Sequence, residues 1–258
     1  MRPPEHIAVS GLAARYVEDG STVFSAMTFA LPPGQCLALI GPSGCGKSTL
    51  LHVLAGLLPA HEGNVTYGNK PVSDLRGRVS YMQQKDLLLP WRTVEDNAAL
   101  GLIMQGYTKQ AARHMVRDHL PSFGLADAAG VYPHHLSGGM RQRAALLRTL
   151  LCRKPIILLD EPFGALDAIT RRSMHGQLEH VWHALGASII LVTHDVDEAL
   201  ILADTILVLT PCPARIQANL HVDMPRPRRV TDTAFIEHKQ FLLDQLDPWS
   251  PAACAVTS

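Results

Sequence analysis

Gly41-Pro42-Ser43-Gly44-Cys45-Gly46-Lys47-Ser48-Thr49, GPSGCGKST in one-letter code, decides how the rest of this chain is read. The residues before it, Cys36 to Ile40, form a short apolar run of the kind a buried strand makes. The residues after it, Leu50 to Leu58, read as a helix that stops at Pro59. Three glycines therefore stand between a strand and a helix start. Glycine opens backbone conformations closed to other residues and lets N–H groups approach a ligand. A helix N-terminus adds unpaired donors and the positive end of a dipole. Together they make a nest for an anion. The spacing Gly41-x-x-x-x-Gly46-Lys47-Ser48 is that of a phosphate-binding loop, with Lys47 reaching the terminal phosphates and the Ser48 hydroxyl on Mg²⁺. By itself the loop says nucleotide phosphate, without saying which nucleotide or what its energy drives.

Composition narrows the class. The 258 residues suit one large domain, or a domain with a subdomain, and 47% hydrophobic content supports a real core. Lys and Arg number 23, as do Asp and Glu, so the charge balance gives no sign of a nucleic-acid binder. Cys36, Cys45, Cys152, Cys212 and Cys254 form no C-x-x-C pair and are odd in number, which points away from zinc and from a disulfide framework and suits a reducing compartment. Met1 to His6 leads into no apolar signal-peptide core, and no run of about 18 apolar residues is present. If the protein works at a membrane, another chain is expected to do the spanning.

Val23–Leu31 reads as a strand, and Asn64–Tyr67 with Lys70–Val72 flank Gly68-Asn69 as a hairpin. From Glu95 to about Leu151 apolar residues recur at helical spacing. Then the apolar runs Ile156–Leu159, Ser188–Val192 and Thr205–Leu209 alternate with helices, the pattern of buried parallel strands. The expected fold is α/β: a parallel sheet, a small antiparallel β part and an inserted helical part. From Pro211 proline and charge increase, Pro225–Arg229 reads as a solvated segment, and the last residues read as a frayed tail.

Two further motifs name the chemistry. Ile156-Ile-Leu-Leu-Asp160-Glu161 delivers adjacent carboxylates to the C-terminal end of a strand, the edge at which open α/β sheets bind ligands. Asp160 is placed to hold Mg²⁺ and Glu161 to polarise an attacking water. Leu136-Ser137-Gly138-Gly139-Met-Arg-Gln142 puts a serine and two glycines at a second helix start. Leu-Ser-Gly-Gly-x-x-Gln resembles the signature of ATP-binding cassette (ABC) ATPases, and the resemblance runs from about Ile7 to about Leu246.

That resemblance implies a phosphate-loop ATPase core over 5–246, with a helical subdomain at about 85–151 and a flexible tail at 247–258. It implies ATP and Mg²⁺ as ligands, with Gly41–Thr49 and Ser137, Gly138 and Gly139 around the nucleotide. Tyr16 stands where the family stacks an aromatic on adenine. Gln84 resembles the glutamine that senses Mg²⁺ and meets the membrane partner, with Gln83 beside it. Asp167 resembles the aspartate that communicates between cassettes, and His194 the histidine on the γ-phosphate. His134-His135 have no third metal ligand, and Cys45 lies in the loop where thiol reagents would find it.

A kinase or GTPase reading leaves Leu136–Gly139 without an account. Soluble cassette ATPases that act on ribosomes or DNA usually carry tandem cassettes or a coiled-coil insertion, and exporter cassettes are commonly fused to membrane helices. The chain is similar to the free-standing ATPase of an importer. Leu87–Asn97 and Leu207–Ile216 look like the nitrate, sulfonate and taurine importer group, which includes importers of riboflavin and of a thiamine pyrimidine precursor. The implied partners are a second copy, an integral-membrane permease and, indirectly, a solute-binding protein, with the chain peripheral on the cytoplasmic face of the membrane.

Overall fold

The apolar runs assemble into a six-stranded sheet, in the order β10-β9-β3-β8-β7-β6. Its strands are β3 (Cys36–Ile40), β6 (Val79–Met82), β7 (Ile156–Asp160), β8 (Ser188–Val192), β9 (Thr205–Leu209) and β10 (Ile216–His221). All neighbours are parallel except the edge pair β9–β10. The structure is a computed structural model and describes residues 5–15, 20–68 and 70–247. Every residue of β3, β7 and β8 is buried, because both faces of the sheet are covered. Successive side chains point to opposite faces. Leu37, Leu39, Ile156, Leu158, Ile190 and Val192 accordingly join one core, and Ala38, Ile40, Ile157, Leu159, Ile189 and Leu191 the other.

The first core is closed by an antiparallel sheet, β2-β1-β4-β5, of β1 (Ile7–Arg15), β2 (Thr22–Leu31), β4 (Glu62–Tyr67) and β5 (Lys70–Val72). It contributes Ile7, Val9, Phe24, Met27 and Leu31. β4 and β5 form the expected hairpin, with Tyr67 opposite Lys70. Between the sheets lies α1 (Lys47–Leu54), which ends four residues before the expected Leu58. The stop is Gly56 rather than Pro59. Gly56 takes φ 73°, its N–H donates to Val53 O at 3.0 Å, and Leu57 N–H donates to His52 O at 2.8 Å. These are the two bonds of a left-handed helix cap.

The second core is covered by helices. The segment expected to be helical forms α2 (Val94–Ala98), α3 (Leu100–Met104), α4 (Lys109–His119) and α5 (Gly138–Leu151), with three single 3₁₀ turns between the last two. Thr93 caps α2 and Thr108 caps α4. α6 (Ala168–Leu185), α7 (Val196–Leu202) and α8 (Thr233–Leu246) complete the layer.

In the basic stretch Pro225–Arg229, Pro225, Pro227 and Arg229 are exposed as its composition suggested, whereas the Arg226 and Arg228 side chains turn inward. The Arg228 side chain is 1% exposed and donates to the carbonyls of Leu200 (2.8 Å) and Ala203 (2.6 Å) at the end of α7. A cation there meets the negative end of the helix. Arg226 pairs with Asp204 at 2.7 Å and Glu179 at 3.2 Å and lies 5.0 Å over the Trp182 ring. Among the described residues no helix is long and apolar enough to cross a membrane.

Candidate nucleotide site

Strand β3 and helix α1 hold the loop 41–46 between them at the C-terminal edge of the parallel sheet. Two of its glycines are required by crowding as well as by conformation. A Cβ on Gly41 would lie 2.8 Å from Leu209 O, and one on Gly46 (φ 108°) 2.7 Å from Val23 Cγ1. No side chain caps the N-terminus of α1, so its first-turn donors face the loop. Lys47 is buried, and its Nζ donates to Gly41 O and Pro42 O, each at 2.8 Å, which sets the ammonium across the loop. Ser43 and Gly44 form the exposed crest. Cys45 is buried beneath it, so the expected access for thiol reagents is absent, and burial pushes its thiol pKa up. Its sulfur faces Lys47 Nζ at 3.8 Å.

Across the loop, β7 ends in Asp160, only 3% exposed. Burial raises its carboxyl pKa, a hydrogen bond from Ser48 lowers it, and the neighbouring Glu161 raises it again. Tyr81 Oη approaches Asp160 Oδ2 at 3.5 Å. A hydroxyl and a partly compensated buried carboxylate are hard oxygen donors that fit Mg²⁺. Among the described residues no group of three His, Cys, Asp or Glu could hold a metal alone.

Glu161 sits just beyond the strand at φ 50°, its N–H donating to Val192 O at 2.9 Å. Left-handed backbone is uncommon for a non-glycine residue and turns the side chain away from the strand's direction. The carboxylate meets two side chains from distant segments. Gln84 Nε2 donates to Oε2 at 3.1 Å, and His194 Nδ1 lies 3.5 Å from Oε1. Of the adjacent glutamines at 83 and 84, the second reaches the site. His194 follows β8, and Asp195 after it caps α7 through Asp197 N–H (2.9 Å) and Glu198 N–H (3.1 Å).

Within this one chain Ser137 and Asp167 act as helix caps. Ser137 Oγ accepts from Met140 N–H at 3.2 Å at the start of α5, and Asp167 Oδ1 accepts from Ile169 (3.1 Å) and Thr170 (3.0 Å) N–H at the start of α6. The Thr170 N–H is the chief cause holding the Asp167 pKa down. Gly138 and Gln84 line a common cleft of about 410 Å³. Tyr16 lies outside the described residues.

Several contributors were not singled out in the sequence. Gln142, the last residue of the signature, donates to Glu161 O at 2.9 Å and accepts from Ala165 N–H at 2.7 Å. Arg171 donates to Asp195 Oδ2 at 2.8 Å and Leu166 O at 3.1 Å, joining the segment after Glu161 to the one after His194. Arg148 holds the carbonyls of Asp86 and Leu87, both at 2.7 Å, just beyond Gln84. Only Gln142 carried a sequence signal, its place in the motif.

The family model for ABC transporters matches residues 24–164, more than half of the chain. The chain belongs to the ABC transporter family. Among similar relatives of this ABC protein is an aliphatic sulfonates import ATP-binding protein of Yersinia pestis, 44% identical over 223 residues, 86% of this chain and 79% of that one. One of the same name from Shigella flexneri is 40% identical over 240 residues, 93% of this chain and 90% of that one. A nitrate import ATP-binding protein of Synechococcus elongatus is 42% identical over 217 residues, which cover 83% of this chain and 33% of that protein. A solved dimeric bacterial ABC transporter cassette superposes with a TM-score of 0.77 at 26% identity, over 85% of this chain and all of that one. A post-hydrolysis dimer of an ATP-binding cassette bound to ADP and phosphate gives 0.75 at 25% identity, over the same shares. The fold is that of an ABC ATPase.

Proposed function

We propose that this chain is the ATP-hydrolysing subunit of an ABC importer for a small solute, with a sulfonate or nitrate as the class its relatives' names favour. Two copies face each other head to tail. Each ATP lies between Gly41–Thr49 of one copy and Ser137–Gly139 of the other, with Asp167 at the junction. Lys47 and the α1 N-terminus take the phosphates. Ser48 and Asp160, with Gln84, would hold Mg²⁺. Bound there, Mg²⁺ would supply Lewis-acid stabilisation of negative charge on the phosphate oxygens.

The observation that carries this reading is the Glu161 carboxylate, held by Gln84 at 3.1 Å and beside His194 at 3.5 Å, one residue past Asp160. Glu161 accepts a proton from water, whose oxygen bonds to the γ-phosphorus while the bond to the bridging oxygen of ADP breaks. His194 contacts the γ-phosphate.

The helical segment, about 85–151, and the Gln84–Trp91 stretch transmit closure to a separate membrane permease, served by a solute-binding protein on the other side. Trp91 is 71% exposed and Leu87 50% exposed, on a loop braced from beneath by the buried Asn97, whose side chain bonds Leu89, Arg92 and Thr93. A rigid loop presenting an exposed aromatic suits a docking anchor. The chain then sits on the cytoplasmic face of the membrane.

The test is Glu161→Gln in Mg-ATP. Glutamine keeps the shape but takes no proton, so turnover should fall by roughly 10² to 10⁴. ATP should remain bound and the variant should run as a dimer in size measurements, while wild-type protein without nucleotide runs mainly as a monomer. Hydrolysis near the wild-type rate would remove Glu161 from this role.

A further inference from the structure

Gln142 sits in the second turn of α5, 8% exposed. Its amide spends both ends on one short segment. The NH₂ donates to Glu161 O at 2.9 Å, and the carbonyl accepts from Ala165 N–H at 2.7 Å. Between those two atoms runs the stretch that leaves β7, carries the Glu161 carboxylate and leads into Asp167. Glu161 is held there in its left-handed conformation, φ 50°, by this bond on its carbonyl and by Val192 O on its N–H.

The same helix begins with the signature. Its first turn lies hard against the same segment: a Cβ on Gly139 would come 3.2 Å from Leu166 Cδ2 and 3.5 Å from Ala165 O. The absence of a side chain at Gly139 thus lets the start of α5 approach Ala165 and Leu166 closely. An apolar side chain at 142 could fill the same volume. It could not fix the rotation of two peptide units, which is what a paired donor and acceptor on one planar group do.

We infer that Gln142 is a positioning residue that ties the aim of the Glu161 carboxylate to the placement of the signature helix. The inference rests on the dimer proposed above. There, Ser137–Gly139 engage the ATP bound by the partner copy, whereas Glu161 acts on the ATP of its own copy. Gln142 then joins the two sites through one side chain. When α5 settles against the partner's nucleotide, the clamp on Glu161 O and Ala165 N–H carries that movement to the base. Hydrolysis at one site thereby depends on engagement at the other, and the ATPase is cooperative.

The experiment compares wild type, Gln142→Leu and Gln142→Glu. ATPase rate is measured against Mg-ATP concentration, with binding of a fluorescent ATP analogue to dilute protein and thermal melting alongside. Loss of two buried hydrogen bonds that act on the base should lower kcat for Gln142→Leu by roughly ten- to a hundredfold. Its Hill coefficient should fall toward one, with affinity for the analogue within about twofold of wild type, since Lys47 and loop 41–46 are untouched. In Gln142→Glu a protonated carboxyl can donate to Glu161 O and accept from Ala165 N–H, while an ionised one repels that carbonyl. The ratio of its rate to wild type should therefore rise as pH falls from 8 to 6.

Gln142→Leu with the wild-type kcat and Hill coefficient would overturn the inference. So would a parallel loss of analogue affinity, melting temperature and rate, which marks an ordinary packing role. A pH-independent ratio for Gln142→Glu overturns it as well, and decides the matter if Gln142→Leu folds poorly. Wild-type hydrolysis with a Hill coefficient of one would sink the coupling while sparing the ATPase reading. No hydrolysis by wild type would sink both.

Discussion

Replacing Glu198 by glutamine should remove a pH dependence of stability that comes from one buried carboxyl beside the site. Glu198 lies in α7, buried, and Thr193 Oγ1 donates to its Oε2 at 3.1 Å. Its Oε1 is buried without a hydrogen-bond partner. Burial pushes its pKa up to about 8, the Thr193 hydroxyl lowers it, Asp195 raises it, Arg171 lowers it and Glu161 raises it. The folded pKa thus stands above the unfolded value of 4.5, so the native state holds an extra proton between them. The stability this contributes is full below pH 4.5 and is lost as pH climbs through 8. At 1.36 kcal/mol per pKa unit, the loss between pH 5 and pH 9 comes to about 4 kcal/mol. The substituted amide cannot ionise and has nearly the shape of the protonated acid. Relative to wild type, the variant should gain about 4 kcal/mol as pH rises over that range, read from guanidinium unfolding at pH 5, 7 and 9. The comparison between variants matters because His175 pulls the other way. It is buried with no partner on either ring nitrogen, and burial holds its pKa down to about 4, so it costs stability as pH falls from 6.5 toward 4. The difference between Glu198→Gln and wild type cancels that contribution. A difference constant to within about 0.5 kcal/mol from pH 5 to pH 9 would refute an ionisable, buried Glu198.

Lys47→Ala should abolish ATP binding in a filter or fluorescence assay, whereas Ser137→Ala should keep binding yet hydrolyse poorly, because Ser137 meets nucleotide only across the dimer. Ser137→Ala should also cost about 1 kcal/mol in stability, through loss of the cap on Met140 N–H. Trp91→Ala should leave thermal stability nearly unchanged, within about 0.5 kcal/mol for so exposed a side chain, while uncoupling ATPase from transport in a reconstituted transporter. Arg228→Ala, by stranding the carbonyls at the end of α7 and leaving Asp204 with Arg226 as its remaining guanidinium partner, should destabilise by about 3 kcal/mol in chemical unfolding.

What the sequence determined by itself was local. Apolar runs nearly unbroken over four or five residues define strands where both sheet faces must be filled, and β3, β7, β8 and β9 lie where those runs lie. The glycines at 41 and 46 declare a backbone that other residues cannot follow, and Asp160-Glu161 after an apolar strand declares carboxylates at the reactive edge. The signature was legible as a motif. Tertiary structure decided whatever depends on partners far along the chain. Gln84 and Gln83 are chemically the same, and only the fold brings one of them to Glu161, 77 residues away. Cys45 sits among exposed loop residues in sequence, yet packing under the crest buries it. Pro225–Arg229 has the composition of a solvated stretch, yet Arg226 and Arg228 turn inward because the end of α7 and Asp204 offer acceptors that no local pattern announces. Gln142 reads as one motif letter until the fold sets Glu161 O and Ala165 N–H on either side of its amide. Side-chain polarity is written residue by residue, whereas a hydrogen bond needs two groups, and the second is supplied only when the chain closes on itself.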